Sequence, residues 1–416
     1  MENYIEILKS LWQPFSQFWW IVLPVAFYYV FKIIWKDFVI LYSSTAWLRK
    51  MEWTMIEIIP PKEWEKGPKV MELIYQAISG VLVTYNCFDE WLMGKVTDRF
   101  SFELVSLGGE VHFYIRVQKK FRNLLESQLY AQYPGAEIRE VEDYMNNFPK
   151  IVPNRDWDLW GTDIILSEPD PFPIKTYDKF EEDITGTMID PVAGFVELFA
   201  SVPPGQNLMW QMVTYPLSDT WKKDQIKYVQ KLAGRGATEK GGILQDLLEV
   251  FTHFFKGLMG PVEFPKKGKK EEQPLAFRLT PGESEQLKAL ETNIGKNAYQ
   301  IKMRFLNVGR KEGFDNTLQT TFFGIMRQFS DFNSNALRPD NTKTTAAYLA
   351  VDSRLQTMKR RIYARYRDRS MDGNTFAFST TEFATVYHLP DMGVVTPALP
   401  RVESKKGTAP FNLPME

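Results

Sequence analysis

Phe100-Ser101-Phe102-Glu103-Leu104-Val105-Ser106-Leu107, then Gly108-Gly109, then Glu110-Val111-His112-Phe113-Tyr114-Ile115-Arg116-Val117 decides the fold class. Both runs alternate apolar with polar residues, the period of a half-buried strand. Phe100, Phe102 and Leu104 share one face, with Ser101 and Glu103 on the other. Val111, Phe113, Ile115 and Val117 alternate in the same way with Glu110, His112, Tyr114 and Arg116. Two glycines between such runs make a tight hairpin, because glycine accepts the positive φ of a two-residue turn. The pair is therefore antiparallel, with one face apolar and the other polar.

Working outward, Met51 to Ile59 reads as a strand ended by Pro60-Pro61. Gly67-Pro68 opens a helix with Met71, Ile74, Ile78 and Val81 on one face. Beyond the hairpin, Phe121, Leu124, Leu125 and Leu129 line a second helix, stopped at Tyr133-Pro134-Gly135 before a strand from Ala136 to Val141. Strand, helix, strand, strand, helix, strand is the ferredoxin-like order, expected here over residues 51–150 with one sheet face under two helices. A second, looser copy is expected over 151–390. Its strands would be Phe172 to Tyr177, Asn207 to Thr214, Tyr299 to Val308 and Thr375 to Ser379, with helices after Asp190-Pro191 and over Phe314 to Phe329. A helical insertion over 216–295 holds Asp219 to Leu232, Leu244 to Leu258 and a helix opened by the capping box Thr280-Pro281-Gly282-Glu283. The polar stretch Pro265 to Pro274 reads as a linker, and 391–416 as an extended tail. The expected class is α+β.

The first 50 residues point to a membrane anchor. No charge interrupts Ser10 to Phe31, and the apolar run from about 15 to 35 is long enough for one transmembrane helix. Trp12, Trp19, Trp20 and Trp35 sit toward its ends, and Pro24 is tolerated in a span. Lys32, Lys36, Arg49 and Lys50 follow it, so the body is expected on the cytoplasmic side of a single-pass cell-membrane protein. A cleaved signal peptide would carry its positive charge before the run.

Composition narrows the chemistry. The 416 residues carry a formal net charge of -1, so any polyanion contact needs a local patch. Cys87 is the single cysteine and cannot form an internal disulfide. His112, His253 and His388 are far apart, without metal-ligand spacing, and Glu181-Glu182-Asp183 reads as a solvated face. Gly234-Arg235-Gly236 and Gly241-Gly242 lack the Gly-Lys-Ser/Thr of a phosphate loop, so no catalytic, cofactor or metal residue is assigned and no nucleotide hydrolysis is expected. His112, Tyr114 and Arg116 invite comparison with RNA-recognition sheets, but the aromatics are out of step and a packing role fits better. One basic stretch stands out on a helix expected from Thr344 to Arg369. Arg354, Lys359, Arg360, Arg361 and Arg365 are its candidate contacts to phosphate backbone, anionic lipid or an acidic partner, against the equal alternative of a solvated face.

Several segments together resemble a family. They are Phe100 to Val105, Gly109 to Val117, Glu126 to Pro134 with Glu137-Ile138, Phe172 to Tyr177, and Thr381 to Thr385 continuing through Leu389-Pro390 to Phe411-Asn412-Leu413-Pro414. They are similar to the N-terminal domain of unknown function in bacterial conjugation-type, type IV secretion-like DNA-translocating ATPases. There this region precedes a HerA/FtsK-like motor, whose nucleotide-binding positions are not found here. The resemblance implies a non-enzymatic, membrane-anchored accessory subunit that positions a separately encoded motor ATPase. Leu399, Phe411 and Leu413 in the tail are the candidate motor contacts. The alternative is a free-standing, membrane-tethered module for nucleic acid or protein, and homo-oligomerisation is left open.

Overall fold

A computed structural model describes residues 20, 23–35, 41–64, 66–83, 85–86, 88–89, 93–180, 189–232, 280–331, 334–341, 343–345, 350–394 and 396–402. The strands are β1 (Trp53–Ile59), β2 (Phe100–Leu107), β3 (Glu110–Gln118), β4 (Glu137–Val141), β5 (Trp157–Leu166), β6 (Gln206–Pro216), β7 (Ala298–Arg310), β8 (Leu337–Pro339) and β9 (Phe376–Ser379). They form one nine-stranded sheet in the order β4-β1-β3-β2-β6-β7-β5-β8, with β9 also on β7. Every strand pairing is antiparallel.

The β2–β3 hairpin turns at Gly108 (φ +62) and Gly109 (φ +103) and pairs Phe102 with Ile115 and Leu104 with Phe113. The other edge of β2 pairs with β6 from Phe100–Thr214 to Leu107–Asn207. This seam corrects the expected architecture: the chain is not two ferredoxin-like modules behind a transmembrane helix but one continuous mixed α/β sheet. An uncovered β2 would present a row of unpaired N–H and C=O groups, and β6 removes that edge. Phe172 to Tyr177 is not a strand; β5 takes its place beside β7.

The anchor is corrected too. Among the described residues no helix is long and apolar enough to cross a membrane, so the single-pass span, the membrane partner and the cell-membrane localisation are not supported. Residues 23–34 are helical. The rest of that stretch, at 1–19, 21–22 and 36–40, lies outside the described residues, as do Cys87, His253, Glu181 to Asp183, both glycine pairs, Leu244 to Leu258 and Pro265 to Pro274.

The helices are α1 (Leu41–Lys50), α2 (Lys69–Ser79), α3 (Arg122–Gln132), α4 (Ala193–Ala200), α5 (Asp219–Leu232), α6 (Pro281–Ile294), α7 (Thr317–Met326), α8 (Val351–Arg367) and α9 (Thr380–Val386). The box at Thr280 and Glu283 starts α6, and a second box at Ser379 and Glu382 starts α9. One sheet face, carrying Phe102, Phe113, Trp210 and Phe305, is buried under α2, α3, α4, α7 and α9. Tyr75 of α2 stacks on Phe383 of α9, and Phe305 on Phe322 of α7.

The opposite face, which the alternation marks as the polar one, is covered as well. Met55, Val105, Tyr114, Leu159, Met209 and Leu306 project from it and are covered by Ile362, Tyr363 and Tyr366 of α8 and by Tyr144 and Met145. The sheet is therefore the middle of three layers. Its polar residues are paired in register across six strands: Glu57 with Tyr114, Tyr114 with Glu103, Glu103 with Gln211, Gln211 with Arg304, and Arg304 with Asp163. Buried polar groups need partners, and the row supplies some of them: Gln211 Nε2 donates to Glu103 Oε1 at 3.1 Å and Arg304 Nε to Asp163 Oδ1 at 3.0 Å.

Candidate functional site

The polar row explains where α8 ends. Glu103 is fully buried and accepts hydrogen bonds from Ser101 Oγ (2.5 Å), Tyr144 Oη (2.5 Å), Gln211 Nε2 (3.1 Å) and Arg369 Nε (3.0 Å). Burial alone would raise its carboxyl, but Arg369 and these donors hold it below the usual range. Arg369 has a positive φ of 47°, which turns its side chain back under the helix end. Its Nη2 also donates to Asp143 Oδ1 at 2.9 Å. Two carboxylates on one buried guanidinium lock the last turn of α8 to β2 and to the segment after β4.

Beside this lock the covering layer stops short of β1, β3 and β2. A cleft of about 650 Å³ opens between the end of α8, the sheet and α1. The sheet contributes Trp53, Phe100, Ser101, Arg116 and Val213, with Arg99 just before β2. Helix α8 and the turn after it contribute Arg361, Ala364, Arg365, Arg367, Asp368, Ser370 and Asp372, and α1 closes the side with Ser44, Leu48 and Arg49. In all, seven arginines and three aspartates line it.

The aspartates leave the arginines in excess. Asp143 is taken by Arg369, and Asp368 lies 3.9 Å from Arg367. Arg99, Arg116, Arg361 and Arg365 have no carboxylate within ion-pair distance among the described residues. The Arg116 guanidinium lies over Trp53, 4.4 Å from the ring centroid, and the indole donates to the Leu48 carbonyl at 3.3 Å. Burial, with the Arg369 cation beside it, pushes Arg116 down to about 10. Burial lowers Arg99 as well. Cations crowded into a partly desolvated concavity are costly until an anion joins them.

The expected contacts of the basic helix separate. Arg361 and Arg365 line the cleft. Lys359 is held by Asp158 at 2.6 Å, while Arg354 and Arg360 are exposed and outside the lining. The sequence reading missed the contributions of Arg49 and Arg99. For Arg116 the signal was its alternation with Tyr114 and His112. Those rings do not form an open stacking platform: Tyr114 is buried, stacked on Tyr144 at 5.2 Å and on His112 at 5.4 Å. His112 meets Glu57 at 2.6 Å, and His388 meets Asp190 at 3.0 Å.

The tail is part of the body as far as it is described. Leu399 is 4% exposed and belongs to the main core. The Ala398 carbonyl accepts from Val111 N at 3.1 Å, and Val402 O from Lys62 N at 2.8 Å. Leu399 is therefore occupied within this chain, while Phe411 and Leu413 lie outside the described residues.

Fold and site together define a mixed α/β protein built on one antiparallel sheet, with an arginine-lined cleft on one face. The chain belongs to the family of the domain of unknown function DUF8128, whose model matches residues 41–401. Every lining residue, from Ser44 to Asp372, falls inside that span. No curated protein matches the chain.

Proposed function

We propose that this protein is a non-enzymatic accessory subunit of a type IV secretion- or conjugation-like DNA-translocation machine, and that it holds a separately encoded motor ATPase. The supporting observation is that the segments resembling the translocating ATPases pack as one unit. They are β2, β3, α3, 172–177 and α9. Glu382 accepts from Ile174 N at 3.0 Å, Thr385 Oγ1 accepts from Tyr177 N at 3.0 Å, and Phe383 packs against Phe102. A likeness spread over one packed core speaks for the whole body rather than for a single motif.

The test is co-purification of the motor with the intact chain and with a Phe411→Ala, Leu413→Ala variant. Capture by the intact chain and loss with the variant would place the contact at the tail tip. Equal capture would move the contact to the body, and no capture by either would end the motor reading. The clean protein is also expected to turn over no ATP. Steady hydrolysis that survives removal of trace contaminants would overturn the non-enzymatic part.

A second reading, a free-standing binding module for nucleic acid or protein, is favoured by the arginine cleft.

A further inference from the structure

The cleft has a property that the motor reading does not use. Its arginines are gathered from separate parts of the chain: Arg116 from β3 and Arg99 just before β2, Arg361 and Arg365 from α8, and Arg49 from α1. Solvated surface arginines would spread apart. Here the fold spends a buried ion-pair network, Glu103–Arg369–Asp143, to fix the turn that brings α8 over the sheet. The result is a concavity whose cations outnumber its acids and whose walls include the apolar Leu48, Phe100 and Val213.

We propose that this cleft binds the phosphate backbone of a single-stranded nucleic acid. Forked guanidiniums match phosphate oxygens in pairs, and a charge of this density favours phosphodiesters over isolated carboxylates. Its volume of about 650 Å³ lies in the ordinary range of small-ligand sites, about 300–1,000 Å³, which admits a few atoms of backbone and a sugar but not the body of a duplex. Arg116 stacked on Trp53 keeps its fork pointed while retaining its charge. A cationic groove with aromatic and apolar walls is the combination that single-strand binding uses. The inference supplies a ligand to the second reading above and is independent of motor capture. A free nucleotide offers the same phosphate chemistry and is separated from a strand by the test.

The experiment is fluorescence anisotropy of the full chain with a labelled oligo-dT at several salt concentrations, with a duplex of equal length, AMP and inorganic phosphate as competitors. Oligo-dT is expected to bind more tightly than the duplex, with affinity falling as salt rises. Arg99→Gln, Arg116→Gln and Arg365→Gln are each expected to weaken binding about tenfold and to lower the salt slope by about one. Arg360→Gln, on the same helix outside the cleft, is expected to leave both within about twofold. Arg116→Lys should recover the slope more than the affinity, because it keeps the charge and loses the fork. Should Arg116→Gln fail to fold, as judged by its melt, Arg365→Gln on the half-exposed helix carries the same test. Competition by AMP as strong as by oligo-dT would support phosphate recognition and reassign its source to a nucleotide. The proposal is overturned by absent saturable binding at low salt, by equal losses from Arg360→Gln, or by cleft variants that stay folded and bind normally. Failure here would leave motor capture standing, and failure of motor capture would leave this binding standing.

Discussion

Arg369 and Glu103 carry more of the structure than their neighbours, because each is buried and each answers the other. Removing one partner of such a pair strands a charge away from water, at a cost of about 3–5 kcal/mol. Arg369→Ala is expected to lose that much in urea unfolding, while Arg369→Met combined with Glu103→Gln should lose clearly less. Glu103 and Asp143 both titrate below their ordinary values: burial pushes them up, and Arg369 more than reverses it. Their contribution is present above the unfolded carboxylate pKa and is lost as pH falls through the depressed folded values. Glu382 runs the other way. It is fully buried, and burial raises it to about 7 despite the hydrogen bonds from Ser379 and Ile174. The folded state therefore holds its proton more tightly, and stability declines as pH rises from about 4.5 to about 7. Glu382→Gln keeps the capping box and removes the titration. Between about pH 5 and about pH 8 the variant should gain up to about 3 kcal/mol on the wild type, read from unfolding midpoints. A constant difference would show that Glu382 does not titrate there. None of this was legible from alternation alone, which put Ser101 and Glu103 on the polar face and said nothing of what lies over it. Alternation says which residues share a face; it does not say that a helix some 250 residues later will cover it.

At the scale of elements, the sequence was clearest where the signal was local. The β2–β3 hairpin, α5 and the capping box of α6 all formed where glycine, periodicity or a Thr-x-x-Glu pattern required them. Strand β5 was missed because it is buried on both sides, so its Leu159, Trp160 and Ile164 do not alternate cleanly, and Gly161 and Asp163 resemble breakers. Both have packing reasons. Asp163 accepts from Lys302 Nζ at 2.8 Å and Arg304 Nε at 3.0 Å, a pairing no local pattern announces. Gly161 lies where α8 crosses β5: an added Cβ would strike the Leu306 side chain and sit 3.2 Å from the Phe305 carbonyl and 3.5 Å from Ile362. Gly161→Val is expected to cost about 1–3 kcal/mol by overpacking. It should also lower anion affinity in the cleft without touching a lining residue, since it lifts the helix that supplies Arg361 and Arg365. Normal stability would mean that α8 is less closely seated than its contacts indicate. The charge pattern of α8 was legible, but its partition was not: which arginines face the sheet depends on where Ile362, Tyr363 and Tyr366 anchor.

For the whole molecule, the decisive fact is that the sheet has no seam at residue 150. The segment 51–150 has a full strand–helix alternation of its own, the pattern of a fragment that folds by itself. Three features of the structure argue against it. Strand β2 gives eight register pairs to β6 and would become a bare edge. Phe383 and Tyr387, from far down the chain, pack on Tyr75, Phe102 and Phe113 in the core of that segment. Tyr144 would lose Tyr366, and Glu103 would lose Arg369, leaving a buried carboxylate without its countercharge. The 51–150 fragment is therefore expected to be insoluble or molten, with weak near-ultraviolet circular dichroism, while a chain ending at Val402 melts in one cooperative transition. A chain ending at Asp391 should melt earlier, because it gives up Val394 and Leu399 from the main core along with the strap from Val402 to Lys62. If 51–150 instead unfolds cooperatively by itself, the single sheet is an assembly of two units that merely share an edge. The cleft would then lie across a joint between them, since Arg99 and Arg116 belong to the first segment and Arg361 and Arg365 to the second.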